Sequence, residues 1–273
     1  MTAAAREIAP AKLNLALHVR GKLPGGRHAI ETVFAFCTDG DRLTFEDLGE
    51  ERSPAAIIET SGPFSADIGP FNLVMTAWDA IKDEAAIETG GCFALEKNLP
   101  VAAGLGGGSA DAAAALRIVT SVLGLDPSIA ERVAPKLGSD VPACLLSLPM
   151  RGGGAGDVLT PIDLSELSGT PVLLVNPRVA LSTAEVFATW DGVDRGPLAD
   201  WREGRNDLEA PAIALVPQIE AVLAWLNTRP GANFVRMSGS GATCFGLFDS
   251  EEARDAAADA VPREWWRLPT FLR

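Results

Sequence analysis

Alternating apolar and polar residues predict strands in the first third of the chain. From residue 7 to 20, leucine and valine alternate with more polar positions, which is the pattern of a strand with one buried face. A second strand is predicted over 30–36, with turns at Pro24–Gly26 before it and Asp39–Asp41 after it. Shorter apolar segments predict further strands at 42–46, 57–60 and 92–96.

Helical patterns separate these strands and alternate with strands in the last third. A helix is predicted over 72–88, and another from Ser109 to Leu123, where Gly124 follows. Asp126–Pro127 has the form of an N-cap and a first-turn proline, so a helix should begin there and Pro135 should break it. A short helix should follow Gly138. Later helices are predicted near 182–189, 206–215, 217–227 and 250–260, with strands at 172–175, 234–237 and 244–248.

Composition narrows the class of protein. The chain has 273 residues, 47% of them hydrophobic, which is enough for one large or two ordinary domains. The formal net charge of −13 argues against a nucleic-acid partner. Four cysteines without a Cys-x-x-Cys spacing and only two histidines argue against zinc and for reduced, buried thiols. Because we find neither a leader nor a long apolar run, we expect a cytoplasmic protein without membrane attachment.

A glycine-rich loop is the strongest chemical signal. Gly104, Gly106, Gly107 and Gly108 lie within five residues, and Ser109 and an alanine run follow. Such a loop before a helix N-terminus presents backbone amides to an anion, with a di- or triphosphate as the expected ligand. No lysine follows as in a Walker A loop, and a serine replaces the last glycine of a dinucleotide fingerprint. A flexible linker is the alternative, which the entry sequence Pro-x-x-x-Gly-Leu-Gly disfavours.

A second glycine cluster, Arg151–Gly156, lacks a following helical pattern. A turn or a domain junction is therefore preferred there over a second phosphate site.

Residues 100–109 resemble the phosphate loop Pro-x-x-x-Gly-Leu-Gly-Gly-Gly-Ser of the GHMP kinases. Three other segments resemble the branch of these kinases that phosphorylates a cytidine diphosphate derivative of a sugar alcohol, in isoprenoid precursor synthesis. These segments are Ala9–Leu15, Leu137–Pro142 and Met237–Ala242. Together the motifs extend the resemblance from Pro10 to Phe248 in one order.

The resemblance implies an α+β fold in two domains. Residues 1–152 would form an N-terminal nucleotide-binding domain like ribosomal protein S5, and residues 153–273 a C-terminal ferredoxin-like domain. The active site would lie in the cleft between the two domains. ATP and Mg²⁺ would be required, and the protein would be a monomer or a weak homodimer.

Two residues would carry the chemistry in this resemblance. Asp140 would be the base that takes the proton of the substrate hydroxyl. Lys12 would keep that aspartate ionised and attract the transferring phosphoryl group. Taken alone, Asp140 is more often a helix N-cap, and Lys12 a solvated lysine on an edge strand, and only the other motifs reverse that preference.

The nucleotide would be held mainly by the glycine loop. The ATP-binding residues implied are Asn72, Lys97, Pro100, Gly104, Leu105, Gly106, Gly107, Gly108, Ser109 and Ala110. Ser109 could ligate Mg²⁺ or simply cap the helix, and Asn72 could lie near the adenine or be a helix cap. Lys97 contacts the nucleotide or lies in solvent, and Asp111 could merely favour the helix dipole.

The cytidine substrate would meet residues on several segments, namely Asn14, Arg27, His28, Asp140, Thr183, Phe187 and Gly239. The family usually has Tyr-His where this chain has Arg27-His28, and the chain contains no tyrosine. We expect Phe187 to cover one face of the cytosine, the Arg27 guanidinium the other, and His28 to bond its edge. The alternatives are a solvent-facing Arg27 and a Phe187 that belongs to the core.

Two other functions stay open at this point. One is another GHMP kinase, such as a homoserine kinase, and the other is a nucleotide-binding sensor of the same fold without catalysis. Lys12, Asp140 and the complete loop argue against the sensor.

Overall fold

A computed structural model describes residues 4–49 and 56–273, which contain ten strands and eight helices. The strands are β1 Ala5–Lys22, β2 His28–Gly49, β3 Ala56–Ser61, β4 Gly90–Glu96, β5 Met150–Gly153, β6 Val158–Pro161, β7 Pro171–Asn176, β8 Ala232–Met237, β9 Cys244–Phe248 and β10 Trp266–Phe271. The helices are α1 Leu73–Ala85, α2 Gly107–Val122, α3 Pro127–Leu137, α4 Val141–Leu146, α5 Thr183–Thr189, α6 Glu209–Leu215, α7 Gln218–Asn227 and α8 Glu251–Asp259.

The chain divides into two units that do not follow a single cut in the sequence. The first unit comprises Met1–Ala11, Asp39–Val101 and Gly106–Ser147, and the second comprises Lys12–Thr38, Ala102–Leu105 and Leu148–Arg273. The boundary between residues 152 and 153 therefore stays a sequence-based prediction.

The first unit packs its four helices beside a small sheet. The second half of β2 pairs antiparallel with β4, which also pairs parallel with β3. Phe45, Trp78 and Phe93 form an aromatic cluster, with the rings of Phe45 and Phe93 4.8 Å apart. Helix α2 packs on α1, α3 and α4, and its buried alanine run lets these helices come close.

The predicted turn at Asp39–Asp41 is wrong, because β2 continues through it. A Cβ atom on Gly40 would lie 1.9 Å from the carbonyl oxygen of Ala9, so the glycine serves close strand approach. The Asp41 side chain is fully buried and accepts hydrogen bonds from the amides of Asn98 and Leu99. An Asp-Gly-Asp sequence that looks like a turn is here a buried strand segment.

The predicted helix break at Pro135 is also wrong, because α3 continues to Leu137. The proline lies in the last turn, where its missing amide removes one intrahelical bond and little helix remains to be disrupted. The predicted start is confirmed: Asp126 caps α3 by accepting from the Ser128 amide at 2.9 Å.

The second unit contains an antiparallel sheet in the order β10-β7-β9-β8. Helices α5–α7 connect β7 to β8, and α8 connects β9 to β10, which gives the βαββαβ order of the ferredoxin-like fold. The ferredoxin-like expectation is thus confirmed. Strand β10 escaped sequence analysis because it contains Pro269, which a strand at the edge of a sheet tolerates.

The remaining turn predictions hold in the second unit. Strands β5 and β6 pair antiparallel, and Gly154 and Gly156 in their connection have φ values of +64° and +93°. The second glycine cluster is therefore a hairpin turn. The turn at Pro24–Gly26 between β1 and β2 is likewise present.

The described residues contain neither a membrane-spanning helix nor a disulfide bond. Within 4–49 and 56–273, no helix combines the length and the hydrophobicity that a bilayer crossing requires. All four cysteines lie in these ranges and none forms a disulfide bond; Cys92 is half-buried and the other three are buried.

The close approach at Gly40 gives a test of the fold. We expect Gly40→Ala to lower the free energy of unfolding by about 3 kcal/mol or more, because the new methyl group would overlap the Ala9 backbone. Gly69→Ala is the control, since a Cβ atom there meets no atom within 4 Å. Denaturant unfolding of both variants checks the expectation, and equal stabilities would contradict it.

Candidate functional site

The glycine loop leads from β4 into the N-terminus of α2. Gly106 is the N-cap of this 16-residue helix, with φ of +65°, and it has no side chain with which to cap. The amides of the first turn thus remain directed out of the helix end, as an anion site requires. Ser109 is the third helical residue, so its alternative role as N-cap is wrong. The helix starts two residues before its predicted start because Gly107 and Gly108 are helical.

The side of Gly107 on which a Cβ atom would stand faces charged side chains of the protein. A Cβ atom there would lie 3.1 Å from the Lys97 Nζ atom and 3.6 Å from Asp41 Oδ2. This glycine therefore lies next to a charged cluster behind the helix start.

That cluster consists of Lys97 between two carboxylates, and all three residues are buried. The Lys97 ammonium donates to Asp41 Oδ2 at 2.5 Å and to Asp111 Oδ2 at 2.6 Å. Its side chain is 4% exposed, so the solvent alternative for Lys97 is wrong. Asp111 does more than favour the helix dipole, because it binds this ammonium directly. Contact of Lys97 with nucleotide stays a prediction.

The cluster keeps Lys97 charged in spite of its burial. Burial by itself lowers the pKa of Lys97, but Asp111 and Asp41 together raise it above its usual value. Burial raises the pKa of Asp111, and the adjacent ammonium opposes that shift. The second oxygen of Asp111, Oδ1, is buried and has no hydrogen-bond partner among the described residues.

Asn72 and Asp140 each precede a helix of the first unit, but only the side chain of Asn72 caps its helix. Asn72 caps α1, since its Oδ1 atom accepts from the Val74 amide at 2.9 Å. Its predicted place near the adenine stays a prediction. Asp140 stands at the N-cap position of α4 and is half-buried, yet among the described residues its carboxylate caps no amide of that helix. The capping alternative thus does not account for Asp140.

The second unit holds Lys12 and Asn14 on one face of β1. The Lys12 ammonium donates to Asn14 Oδ1 at 3.0 Å and lies 4.8 Å from the ring centroid of Phe34. The Asn14 amide donates in turn to Thr32 Oγ1 at 2.8 Å. Lys12 is 4% exposed, so the alternative of a solvated edge-strand lysine is wrong.

The loop 238–241 packs against residues 103–105. A Cβ atom on Gly104 would lie 2.2 Å from the Ser238 carbonyl oxygen, and one on Gly239 3.0 Å from that of Gly104. The Ser238 hydroxyl donates to the Gly104 carbonyl at 2.9 Å and accepts from the backbone amide of Asn14 at 3.2 Å. The two glycines are thus needed for backbone contact.

Asn206 is a supporting residue that sequence analysis missed. Its side-chain amide donates to the carbonyl oxygens of Met237 and Gly239 at 2.9 and 2.7 Å, and the residue is buried. It therefore fixes the loop that meets Gly104. No pattern near 206 distinguished this asparagine from an ordinary helix cap. Ser240 of the same loop is 2.8 Å from the Thr183 hydroxyl.

An aromatic group collects the residues expected at the cytosine. His28 stacks on Phe187 with ring centroids 4.7 Å apart, and Trp190 meets it edge-on at 5.7 Å. Burial, with a smaller effect of Lys22, lowers the pKa of His28, which favours its neutral form. Sequence analysis missed Trp190, which follows α5. Arg27 lies outside this group, because it is largely exposed and pairs with Asp157 at 3.2 Å.

Comparisons with known proteins agree on one family. The models of the GHMP kinase N-terminal domain and of the GHMP kinase C-terminal region match residues 72–147 and 193–268. Proteins of Rhizorhabdus wittichii and Novosphingobium aromaticivorans, both named 4-diphosphocytidyl-2-C-methyl-D-erythritol kinase, are 50% identical to the chain. The alignments cover 98% of the chain in both cases, and 94% and 93% of the two relatives.

Solved structures give the same picture. A crystal structure of 4-(cytidine 5'-diphospho)-2C-methyl-D-erythritol kinase superposes with a TM-score of 0.82 at 30% identity, covering 98% of this chain and 99% of that one. A homoserine kinase from Cytophaga hutchinsonii superposes with a TM-score of 0.72 at 17% identity, covering 100% and 96%. The second likeness shows the fold alone.

Proposed function

This chain belongs to the 4-diphosphocytidyl-2-C-methyl-D-erythritol kinase family of GHMP kinases, and we propose that it phosphorylates the 2-hydroxyl of that substrate with ATP. The product would serve the non-mevalonate route to isoprenoid precursors. The observation that carries the proposal is 50% identity over 98% of the chain to kinases so named. The glycine loop before α2 and the buried Lys12 support it. A homoserine kinase is disfavoured, because its likeness is limited to the fold.

Asp140 and Lys12 have distinct parts in the proposed transfer. The Asp140 carboxylate takes the proton of the 2-hydroxyl, whose oxygen forms a bond to the γ-phosphorus of ATP. The bond from the γ-phosphorus to the bridging oxygen breaks, and ADP leaves with that oxygen. The Lys12 ammonium offsets the negative charge of the transferring group. The burial of Lys12 beside Asn14, which keeps water away from the ammonium, supports this role.

The nucleotide would bind to backbone amides and a few side chains. The loop from Pro100 to Ala110 would hold the phosphates, and Asn72 at the start of α1 would lie near the adenine. The uncapped start of α2 supports this proposal. The Lys97 ammonium is engaged by two carboxylates, so its contribution to ATP binding would be indirect.

A magnesium ion fits this arrangement only in a partly hydrated form. Among the described residues, no group of three His, Cys, Asp or Glu side chains is placed to hold a metal ion. Mg²⁺ commonly retains waters and binds through phosphates with one or two protein ligands, and the Ser109 hydroxyl in the first turn of α2 would supply one. When bound, the ion would neutralise charge on the phosphates of ATP.

The cytidyl substrate would use several of the predicted residues, with Asp140 at its reacting hydroxyl. Phe187 and His28 would recognise the cytosine, with Arg27 covering its other face once released from Asp157. Asn14, Thr183 and Gly239 would meet the diphosphate and the sugar alcohol. The stacked pair of Phe187 and His28 is the observation that supports this assignment.

The remaining expectations stay proposals. The net charge of −13 supports the absence of a nucleic-acid partner. A cytoplasmic location and a monomeric or weakly dimeric state accord with a small-molecule kinase.

Coupled turnover tests the proposed reaction. We expect ADP release with ATP and 4-diphosphocytidyl-2-C-methyl-D-erythritol, and none with homoserine or with the sugar-alcohol phosphate that lacks the cytidyl group. Turnover of homoserine would favour the other GHMP kinase. ATP binding without ADP release from any of these acceptors would favour the nucleotide sensor.

Asp140→Asn tests the general base. The variant should fold and bind ATP but turn over about 10²-fold more slowly or worse, the scale of a positioned acid–base group. Asp126→Asn is the matched control, because Asp126 also precedes a helix with an early proline yet acts as an ordinary cap. Turnover near the wild-type rate in folded Asp140→Asn would remove the assignment.

The base pocket gives a second test. We expect Phe187→Ala and Arg27→Ala each to raise the KM for the cytidyl substrate, with a loss of about 1–3 kcal/mol as for stacked bases elsewhere. Arg202→Ala is the control, since Arg202 is also exposed and paired with a carboxylate, that of Glu166. If Arg27→Ala behaves like the control, the guanidinium does not stack on the base.

A further inference from the structure

The buried cluster of Asp41, Lys97 and Asp111 contacts both ends of the phosphate loop. At the entry, Asp41 Oδ1 accepts from the amides of Asn98 and Leu99 at 2.6 and 2.8 Å. At the exit, Asp111 lies on α2, and the Lys97 ammonium lies behind Gly107. One ammonium thus joins the carboxylate that fixes the entry to the carboxylate that belongs to the exit helix.

We propose that this cluster, here called the loop brace, positions the first-turn amides of α2 for the nucleotide phosphates. The inference rests on the proposed function, since it takes the α2 N-terminus as the phosphate site. Asp41 and Asp111 are positioning residues in it, and both act through the Lys97 ammonium. The proposed reaction would thereby depend on charged groups behind the phosphate site.

Burial makes the brace rigid. The side chains of Asp41, Lys97 and Asp111 are 0, 4 and 5% exposed, so water cannot replace a lost partner. Removing Lys97 would leave two buried carboxyl groups without their common donor, and removing Asp111 would take one of two acceptors from a buried ammonium. The loop ends can therefore not separate without exposing or stranding a charge.

The start of α2 lies close to the brace. A Cβ atom on Gly107 would lie 3.1 Å from the Lys97 ammonium, so the backbone of the first turn is adjacent to that charge. A shift of the ammonium would move the amides of Gly107 and Gly108 relative to the phosphates. Misplacement by about 1 Å is known to lower activity by about 10²-fold in enzymes.

Two variants of Asp111 test the brace. Asp111→Leu removes the acceptor for Lys97, whereas Asp111→Asn retains an oxygen in its place and nearly the same shape. We expect calorimetry to give an ATP Kd raised about 10- to 100-fold in Asp111→Leu, the range for lost supporting partners, and much less in Asp111→Asn. The KM for the cytidyl substrate should not change in either.

Arg117→Met is the matched control. Arg117 lies on the same helix, pairs with Glu7 at 2.7 Å and donates to the carbonyl of Cys144 at 2.8 Å. Its loss should lower the melting temperature but leave the ATP Kd unchanged. A merely structural role for Asp111 would give the same result, so an unchanged Kd in folded Asp111→Leu would overturn the inference.

Hydrogen exchange keeps the test decisive where Asp111→Leu does not fold. In Asp111→Asn, the amides of Asn98, Leu99 and the first α2 turn should exchange faster than in the wild type, and in Arg117→Met they should not. Equal protection in both variants would overturn the brace. Because ATP binding and exchange need no acceptor substrate, failure of the proposed reaction would be seen separately, as ATP binding without turnover of the cytidyl substrate.

Discussion

Close approach of backbone to its surroundings, at points where a Cβ atom has no space, is the constraint on which this structure depends. Gly40 meets the Ala9 carbonyl within the first unit, and Gly104 meets the Ser238 carbonyl within the second. Each contact fixes a segment that carries polar function: Asp41 follows Gly40 directly, and Gly104 begins the glycine-rich part of the phosphate loop. Glycine at these points therefore does more than supply flexibility, because any side chain would push the functional segment away from its support.

The second requirement is to keep positive charge in place within a chain of net charge −13. The two buried lysines meet it in different ways. Lys12 has a neutral amide oxygen and an aromatic ring beside its ammonium. Lys97 forms ion pairs with two carboxylates, so its charge is neutralised within the protein. The same residue type thus has different neighbours in the two units, and burial alone does not distinguish them.

Sequence analysis predicted more of the candidate site residues than of the residues that hold them in place. The glycine loop, Lys12 and Asp140 stand in motifs whose local order carries the signal, and most helices and strands follow from periodicity. The wrong or missing predictions concern residues whose structure is determined by a contact distant in sequence. Asp39–Asp41 has the composition of a turn, and only the position of Ala9 makes it a strand. Lys97 and Asp111 are 14 residues apart, and Asp41 is 56 residues from Lys97, so no local pattern joins them. Asn206 escaped for the same reason, because its partners are backbone carbonyls near 238.

The aromatic group at His28 shows how a departure from the family pattern changes the requirements of a site. A tyrosine at position 27 would bring an aromatic face without a charge, whereas Arg27 brings a charge that Asp157 already satisfies in the free protein. Stacking of the guanidinium on a base would have to replace that ion pair, which is exposed and therefore weak. Phe187 and Trp190 already enclose His28, and the Trp190 Nε1 and His28 Nε2 atoms have no hydrogen-bond partner among the described residues. Buried polar atoms without hydrogen-bond partners are unfavourable. A base that hydrogen-bonds to these two atoms would therefore offset part of the free energy needed to open the stack.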